Sequence, residues 1–303
     1  MIKIRNKKNK SRMGMSDSLY NTIVTIFCTI ILFIVLYPMV YVVSSSFSSG
    51  SAVTAGRVIL WPVDFSFVGY ELVFKNQMIW TGFKNTFLYV GVGTILTLIF
   101  TIFMAYPLSR KDYQAKPMII KICTFFMFFG GGLIPSYILN SQLGLVNTRI
   151  HQIISGCFAI SFIIMMRVFF QSNVPYELLE SAKMDGITDF GHLMRIVLPL
   201  SRAILAVITL YEIVARWNAY FGPMLYLRDR DKYPLQLVVN EILNRTSFDT
   251  STIQDQNLLE QMANAIDSMR YSLIVVSTVP MLILYPFVQK FFDKGVTLGS
   301  IKG

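Results

Sequence analysis

Long stretches without a charged side chain decide what this chain can fold into. A helix crossing the roughly 30 Å of bilayer hydrocarbon needs about 20 mostly apolar residues. Six segments meet or nearly meet that requirement: 20–43, 85–109, 122 to about 139, 152–166 continued by 168–170 beyond Arg167, 203–227 interrupted by Glu212 and Arg216, and 271–289. Hydrocarbon offers no water to unpaired backbone groups, so each segment is predicted to be an α-helix. The predicted fold is an all-α integral membrane protein with six transmembrane helices. Composition agrees, with 54% hydrophobic and 15% charged residues against roughly 25% charged in a soluble domain. That balance excludes a disordered chain and argues against an ordinary soluble enzyme.

Basic residues supply a direction. Lys3, Arg5, Lys7, Lys8, Lys10 and Arg12 precede the first run, and Arg110, Lys111, Lys116 and Lys121 against Asp112 follow the second. The loop after the third run has only Arg149, whereas Lys290, Lys294 and Lys302 against Asp293 follow the last. Lys and Arg concentrate in cytoplasmic loops, so both termini are predicted to be cytoplasmic. Residues 228–270 depart from the trend with five basic and seven acidic side chains, but long loops obey the rule poorly. The net charge of +10 would suggest nucleic acid in a soluble chain; membrane topology explains it here, and no nucleic-acid partner is expected.

The expected organisation is a basic cytoplasmic tail over 1–19, a six-span membrane domain over 20–290 and a cytoplasmic tail over 291–303. Residues 44–82 and 228–270 form external segments. A cleavable signal peptide has an apolar core of about 7–15 residues; the run over 19–43 is longer and reads as a retained anchor. Cys28, Cys123 and Cys157 all fall in apolar runs and read as small buried hydrophobes.

One cytoplasmic loop is long and organised. Asn173 or Ser172 can cap a helix with Pro175 in its first turn, Leu178, Leu179 and Ala182 make an apolar stripe, and Gly186 ends the helix as a C′ glycine. Thr188 or Asp189 can cap a second short helix carrying Phe190, Leu193 and Met194, closed by Pro199. From the residues alone this pair is either interfacial, packed on headgroups or on its own bundle, or a docking element.

The spacing Glu180-Ser181-Ala182, then Gly186, then Ile196, Leu198 and Pro199 resembles the cytoplasmic signature of permease subunits of bacterial ABC importers, with Ser181 where the family has alanine. The resemblance implies that loop 172–200 is a coupling helix seated in a groove of a separate ATPase, with Glu180, Ser181, Ala182, Asp185, Gly186, Ile196, Leu198 and Pro199 carrying the contact. Asp185-Gly186 and Trp217-Asn218 look like carbohydrate-type permeases. Residues 131–137, 143–148, 226–237 and 294–303 resemble the C-type, lipoprotein-dependent branch for complex oligosaccharides. That branch implies a second, homologous permease as heterodimer partner, two ATP-binding subunits, an extracellular solute-binding lipoprotein, an oligosaccharide substrate and surrounding membrane lipid. ATP and Mg would sit on the ATPase subunits, with no cofactor bound by this chain.

The sequence contains no Gly-Lys dipeptide, hence no phosphate-binding loop of the Gly-x4-Gly-Lys type. His151 and His192 stand far apart without metal-ligand spacing, no nucleophile–base constellation stands out, and no enzymatic activity or metal site is expected. Glu212 and Arg216 lie four residues apart on one helix face, in the favourable order for an ion pair. Intramembrane charge usually faces a bundle interior or a water-filled cavity, so they either brace the span or line the substrate path. Trp217, Asn218, Tyr220 and Phe221 suit sugar faces and hydroxyls, or belong to the aromatic belt. Gly131 and Gly132, with Gly130 and Pro135, weaken the third helix as a gate or permit close packing. An ion-gradient-driven sugar transporter and a non-transporting membrane scaffold are the rival functions.

Overall fold

A computed structural model describes the backbone of residues 15–244 and 256–299, with side chains over 19–244 and 264–286. The N-terminal tail's basic residues, the middle of the 228–270 segment and the end of the 294–303 motif lie outside the described residues. Every described element is helical, apart from an isolated antiparallel bridge between Ser48 and Phe65. In order they are α1 (Met15–Ser46), α2 (Gly50–Thr54), α3 (Val68–Lys75), α4 (Gln77–Ser109), α5 (Lys116–Phe128), α6 (Leu133–Gln142), α7 (Arg149–Ile154) and α8 (Ile160–Asn173). Then come α9 (Glu177–Met184), α10 (Asp189–His192), a π-turn over Leu193–Val197, α11 (Leu198–Leu200), α12 (Arg202–Trp217), α13 (Phe221–Tyr226), a 3₁₀ turn over Arg230–Lys232, α14 (Leu235–Asn244) and α15 (Gln256–Gly299).

Two compact units emerge. The first comprises residues 1–70 and 255–272. None of the most apolar stretch of α1 is buried within the chain. The α1 end is tied down by serines: Ser44 donates to Leu60 O, Ser48 donates to Ser44 O and accepts from Val63 N–H, and Ser272 donates to Ser46 O.

The second unit comprises residues 71–254 and 273–303, and α4 is its axis. A ridge of small and hydroxyl residues (Gly82, Thr86, Gly93, Thr94, Thr97, Thr101, Ala105) is buried along α4 and lets other helices approach closely, as small residues do between membrane helices. A Cβ on Gly82 would sit 3.1 Å from Leu235 Cα at the start of α14. Nearer the α4 C-terminus, Ala105, Tyr106 and Leu108 pack with Ile163, Met166 and Phe170 of α8, Leu193 and Val197 of the π-turn, and Ile204 and Ile208 of α12.

Three described helices are long and apolar enough to cross a membrane unaided: residues 19–46 of α1, all of α4, and 264–286 of α15. The count reaches five if each sharply bent pair is one span. The remaining runs are not continuous helices. The third breaks at 129–132 with a 111° bend between α5 and α6, where Gly132 adopts φ +78°, a backbone region open chiefly to glycine. A Cβ on Gly130 or Gly131 would meet nothing within 4 Å, so close packing within this chain is not what selects them. The fourth breaks after α7, where Gly156 has φ +80°, leaving α8 only 14 residues long. The fifth breaks between α12 and α13, and α12 itself turns 80° from the segment before it.

Candidate functional site

The second unit carries two polar constellations, both built against α4. The first is the elbow of the organised loop. Helix α9 ends as the glycine requires: Ile187 N–H donates to Ala182 O (2.8 Å) and Gly186 N–H to Lys183 O (3.1 Å), with Gly186 at φ +72°. This is a Schellman termination, which satisfies carbonyls the helix would otherwise leave open. Thr188 then caps the next helix by accepting from Gly191 N–H at 3.2 Å. The opposite end of α9 differs from expectation. Asn173 is the last residue of α8, and its amide turns back to donate to Phe169 O. No side chain caps α9 at Tyr176. Pro199 lacks an amide hydrogen and crowds the carbonyl four residues back. The preceding turn widens into the π form, with Leu198 N–H donating to Leu193 O.

The elbow is amphipathic. Leu179 and Ala182 are buried, Ile196 and Leu198 are half-buried, and Glu180, Ser181, Asp185, Gly186 and Pro199 face outward. Met184 and Phe190 are exposed as well, Met184 to 89%.

A chain of charges joins the elbow to the end of α4. Arg110 grips Asp112 with both prongs of its guanidinium, Nε to Oδ1 at 2.8 Å and Nη2 to Oδ2 at 2.5 Å, and its Nη1 pairs with Asp189. Lys183 Nζ reaches the same Asp112 carboxylate at 3.3 Å. The Arg110 guanidinium holds the Asp112 carboxyl well below the usual carboxylate range, and Asp112 in turn raises Arg110. Beneath them, His192 Nδ1 lies 3.0 Å from the Tyr106 hydroxyl. Burial, reinforced by Arg110, lowers the His192 pKa from its ordinary value. A cavity of about 320 Å³ under α9 is lined by Tyr106, Arg110, Lys111, Gln171, Tyr176 and His192, among others.

The second constellation sits midway along α4. Arg216 Nε is 2.5 Å from Glu212 Oε1, both side chains being less than a tenth exposed. Thr97 donates its hydroxyl to the same carboxylate oxygen at 2.8 Å and accepts from Arg216 Nη2 at 3.4 Å. The remaining guanidinium hydrogens point at the broken fourth run: Nη1 donates to Gln152 O (3.0 Å) and Ile153 O (3.1 Å), and Nη2 to Ser155 O (2.9 Å). These carbonyls lie at the end of α7, where the helix has stopped and no succeeding amide can reach them. Arg216 therefore supplies what the missing turn would have supplied, Glu212 neutralises the charge, and Gly93 leaves the room. A Cβ at Gly93 would collide with the guanidinium.

Beside this centre lies a cavity of about 240 Å³, lined by Tyr89, His151, Gln152, Glu212, Arg216 and Tyr226 among others. His151 is buried and lies against Tyr226, ring centroids 4.0 Å apart. Of the residues singled out in the sequence, the structure brings Glu212 and Arg216 to this cavity and leaves the others elsewhere. Trp217 is buried against Phe83 and Phe87, with its indole N–H donated to Ser277 O at 3.2 Å. Asn218 and Tyr220 are exposed, and Gly131 and Gly132 lie in the exposed bend between α5 and α6. The sequence reading missed Gly93, Thr97, Gln152 and Tyr89. For Gly93 and Thr97 the signal is the glycine–threonine spacing of i, i+4 on the small-residue ridge of the second run; Gln152 and Tyr89 carry none.

The described residues are thus helical, with candidate membrane spans, an amphipathic elbow at one end of α4 and a buried polar centre midway along it. Residues 97–298 match the binding-protein-dependent transport system inner membrane components, and the chain belongs to that family. It is 32% identical over 289 residues to the polygalacturonan/rhamnogalacturonan transport system permease protein YtcP of Bacillus subtilis (strain 168), covering 95% of this chain and 100% of that one. Protein LplC of the same organism is 32% identical over 270 residues, covering 89% and 90%. A chain in the crystal structure of a bacterial ABC transporter that imports the acidic polysaccharide alginate superposes with a TM-score of 0.85 at 33% identity, over 92% of this chain and 98% of that one.

Proposed function

We propose that this chain is one of two different permease subunits of an ATP-driven oligosaccharide importer, with acidic plant-glycan fragments as the first candidates. The substrate class is supported by what the relatives carry: YtcP is named for polygalacturonan and rhamnogalacturonan, and the solved transporter imports alginate. The six spans are α1, α4, α5 with α6, α7 with α8, α12 with α13, and α15, making up a membrane domain over 20–290. The tails 1–19 and 291–303 are cytoplasmic. An extracellular lipoprotein delivers ligand on the outer side of the membrane, to which segments 44–82 and 228–270 are assigned.

The observation that carries the reading is the elbow. A tight Schellman bend presents Glu180, Ser181, Asp185 and the exposed Met184 outward while Leu179 and Ala182 anchor it inward. Seated in the groove of an ATPase that binds ATP and Mg, it transmits closure of the two ATPase subunits to the spans; this chain binds neither ATP nor Mg. In the substrate path, Glu212 and Arg216 frame the mid-membrane cavity, with Asn218, Tyr220, Gly131 and Gly132 on surfaces turned to the partner permease. The described donors of Arg216 are engaged by Glu212 and backbone carbonyls. This cavity therefore suits sugar hydroxyls, and carboxylate recognition falls to the partner. The same engagement disfavours an ion-gradient mechanism, because Glu212 already holds Arg216 and Thr97.

The test is assembly and uptake. Tagged chain should co-purify with a second permease and an ATPase, and Met184→Cys should cross-link to the ATPase. Reconstituted with its binding lipoprotein, the complex should take up trigalacturonate with ATP and not with a proton gradient. Uptake driven by the gradient alone, or purification without an ATPase, overturns the proposal.

A further inference from the structure

The charges between α4 and the elbow form a closed arrangement whose parts come from three places in the chain. Arg110 and Asp112 follow the last turn of α4, Lys183 lies on α9 before the Gly186 bend, and Asp189 opens α10 after it. The alternating series Asp189, Arg110, Asp112, Lys183 thus fastens both limbs of the elbow to one arginine–aspartate fork. Two further contacts reinforce it: a hydrogen bond of Tyr106 with His192 at 3.0 Å, and the Lys111 ammonium over the Tyr176 ring at 5.0 Å from its centroid. Arg110 is the pivot of the charged series, because its guanidinium pairs both with Asp112 beside α4 and with Asp189 on the second limb. Its side chain is only 13% exposed, whereas those of Lys183 and Asp189 are half or more exposed.

We infer that Arg110 is a positioning residue that locks the elbow to α4, so that elbow and helix move as one rigid body when the ATPase closes. The inference rests on the docking reading above and adds the route by which force enters the membrane. Thirteen positions along α4, about 20 Å at 1.5 Å per residue, take the chain from Thr97 to Arg110 at the helix C-cap, and Thr97 holds the Glu212 carboxylate. A push on the elbow therefore reaches the polar centre through α4 directly, in keeping with coupling carried by rigid elements with discrete arrangements.

The experiment uses the whole transporter in lipid, with Cys28 and Cys123 replaced by serine and the buried Cys157 retained. Spin labels at Met184 and at Ile99, an exposed position on α4, report the elbow–helix distance without nucleotide and trapped with ATP and vanadate. The distance should stay within about 2 Å between the two states, a helix-shift scale. Arg110→Gln should broaden it and make its peak move with nucleotide, and Arg110→Lys should fall between. Asp189→Asn, at a more exposed position, repeats the test should Arg110→Gln fail to assemble. A larger change in the unsubstituted elbow, or an unaltered distribution in Arg110→Gln or in that substitute, overturns the inference. Cross-linking of Met184→Cys to the ATPase separates the two ideas: with the cross-link present such a result removes the clasp alone, and without it the docking reading falls and takes the clasp with it.

Discussion

The buried polar centre and the elbow use the same chemical pair, an arginine against a carboxylate braced on α4, in opposite surroundings. At the centre, both side chains are less than a tenth exposed, and the guanidinium closes the end of a broken helix. At the elbow, the arginine is nearly as covered, but its partners Asp112 and Asp189 are 38% and 59% exposed. Desolvation makes an unpartnered charge expensive in the first place, whereas solvent screens the second, where exposed pairs contribute roughly 0–1 kcal/mol. The difference teaches that one pair permits a fold and the other sets a position. The α7 break is tolerable in a buried setting because Arg216 answers its carbonyls, whereas the elbow would keep its bend without Arg110, since Gly186 and Thr188 make it locally.

Breaking the centre should therefore have the largest effect. Arg216→Met leaves Glu212 without its counter-charge and removes the guanidinium from Gln152 O, Ile153 O and Ser155 O, of which Ile153 O keeps the Cys157 thiol; removing one partner of a buried pair costs about 3–5 kcal/mol. Thermal unfolding in detergent should show this as a large loss of stability. Adding Glu212→Leu should recover the charge part and not the carbonyl part, so the double variant stays below the parent. Full recovery would mean that the helix-closing role is wrong and the contrast with the elbow collapses. Gly93→Ala comes next. The new methyl meets a guanidinium that its bonds hold in place, so the side chain cannot swing aside, and overpacking of this kind costs about 1–3 kcal/mol. The same assay, with Gly91→Ala as a control whose Cβ meets nothing within 4 Å, isolates the contact.

The elbow was the most legible part of the chain because its geometry is local. A glycine at C′ and a threonine cap three residues ahead of Gly191 act over a single turn. The continuity of the membrane runs was less legible for the converse reason. Hydropathy records whether a segment is apolar and not whether its backbone is continuous, and the α7 break depends on an arginine more than sixty positions away. Glu212 and Arg216 stood out as charges in an apolar run, yet their partners on α4 are a glycine and a threonine, residue types that carry no charge signal. Trp217 was drawn toward sugar contact by its type, whereas packing against Phe83 and Phe87 gives it a structural use.

Within the elbow, Gly186→Ala tests how much of the bend is local. Alanine at φ +72° meets the left-handed penalty of about 1–2 kcal/mol. The loss should appear less as a lowered unfolding temperature than as weaker retention of the ATPase during purification. Equal retention would place the docking surface elsewhere and leave the elbow as an interfacial fold.

The smallest effect expected is a pH dependence confined to the elbow. His192 has its pKa lowered first by burial and then by the Arg110 charge, with Lys183 adding to the effect and Asp189 opposing it. The folded state therefore binds the proton less readily than the unfolded chain. The stabilisation is fully present above the unfolded value of about 6.5 and is lost as pH falls through the lower folded value. Asp112, held below the usual carboxylate range by Arg110, stays ionised across that window and adds no slope. Unfolding temperature should thus decline on acidification from neutrality, and His192→Gln, which keeps a hydrogen-bonding partner for Tyr106 without a titrating ring, should flatten that part of the curve. The centre's double variant, Arg216→Met with Glu212→Leu, leaves no titrating group there and should shift the whole curve downward without changing its shape. A slope that survives His192→Gln, or one that vanishes in that double variant, would mean that the two regions are not energetically separate.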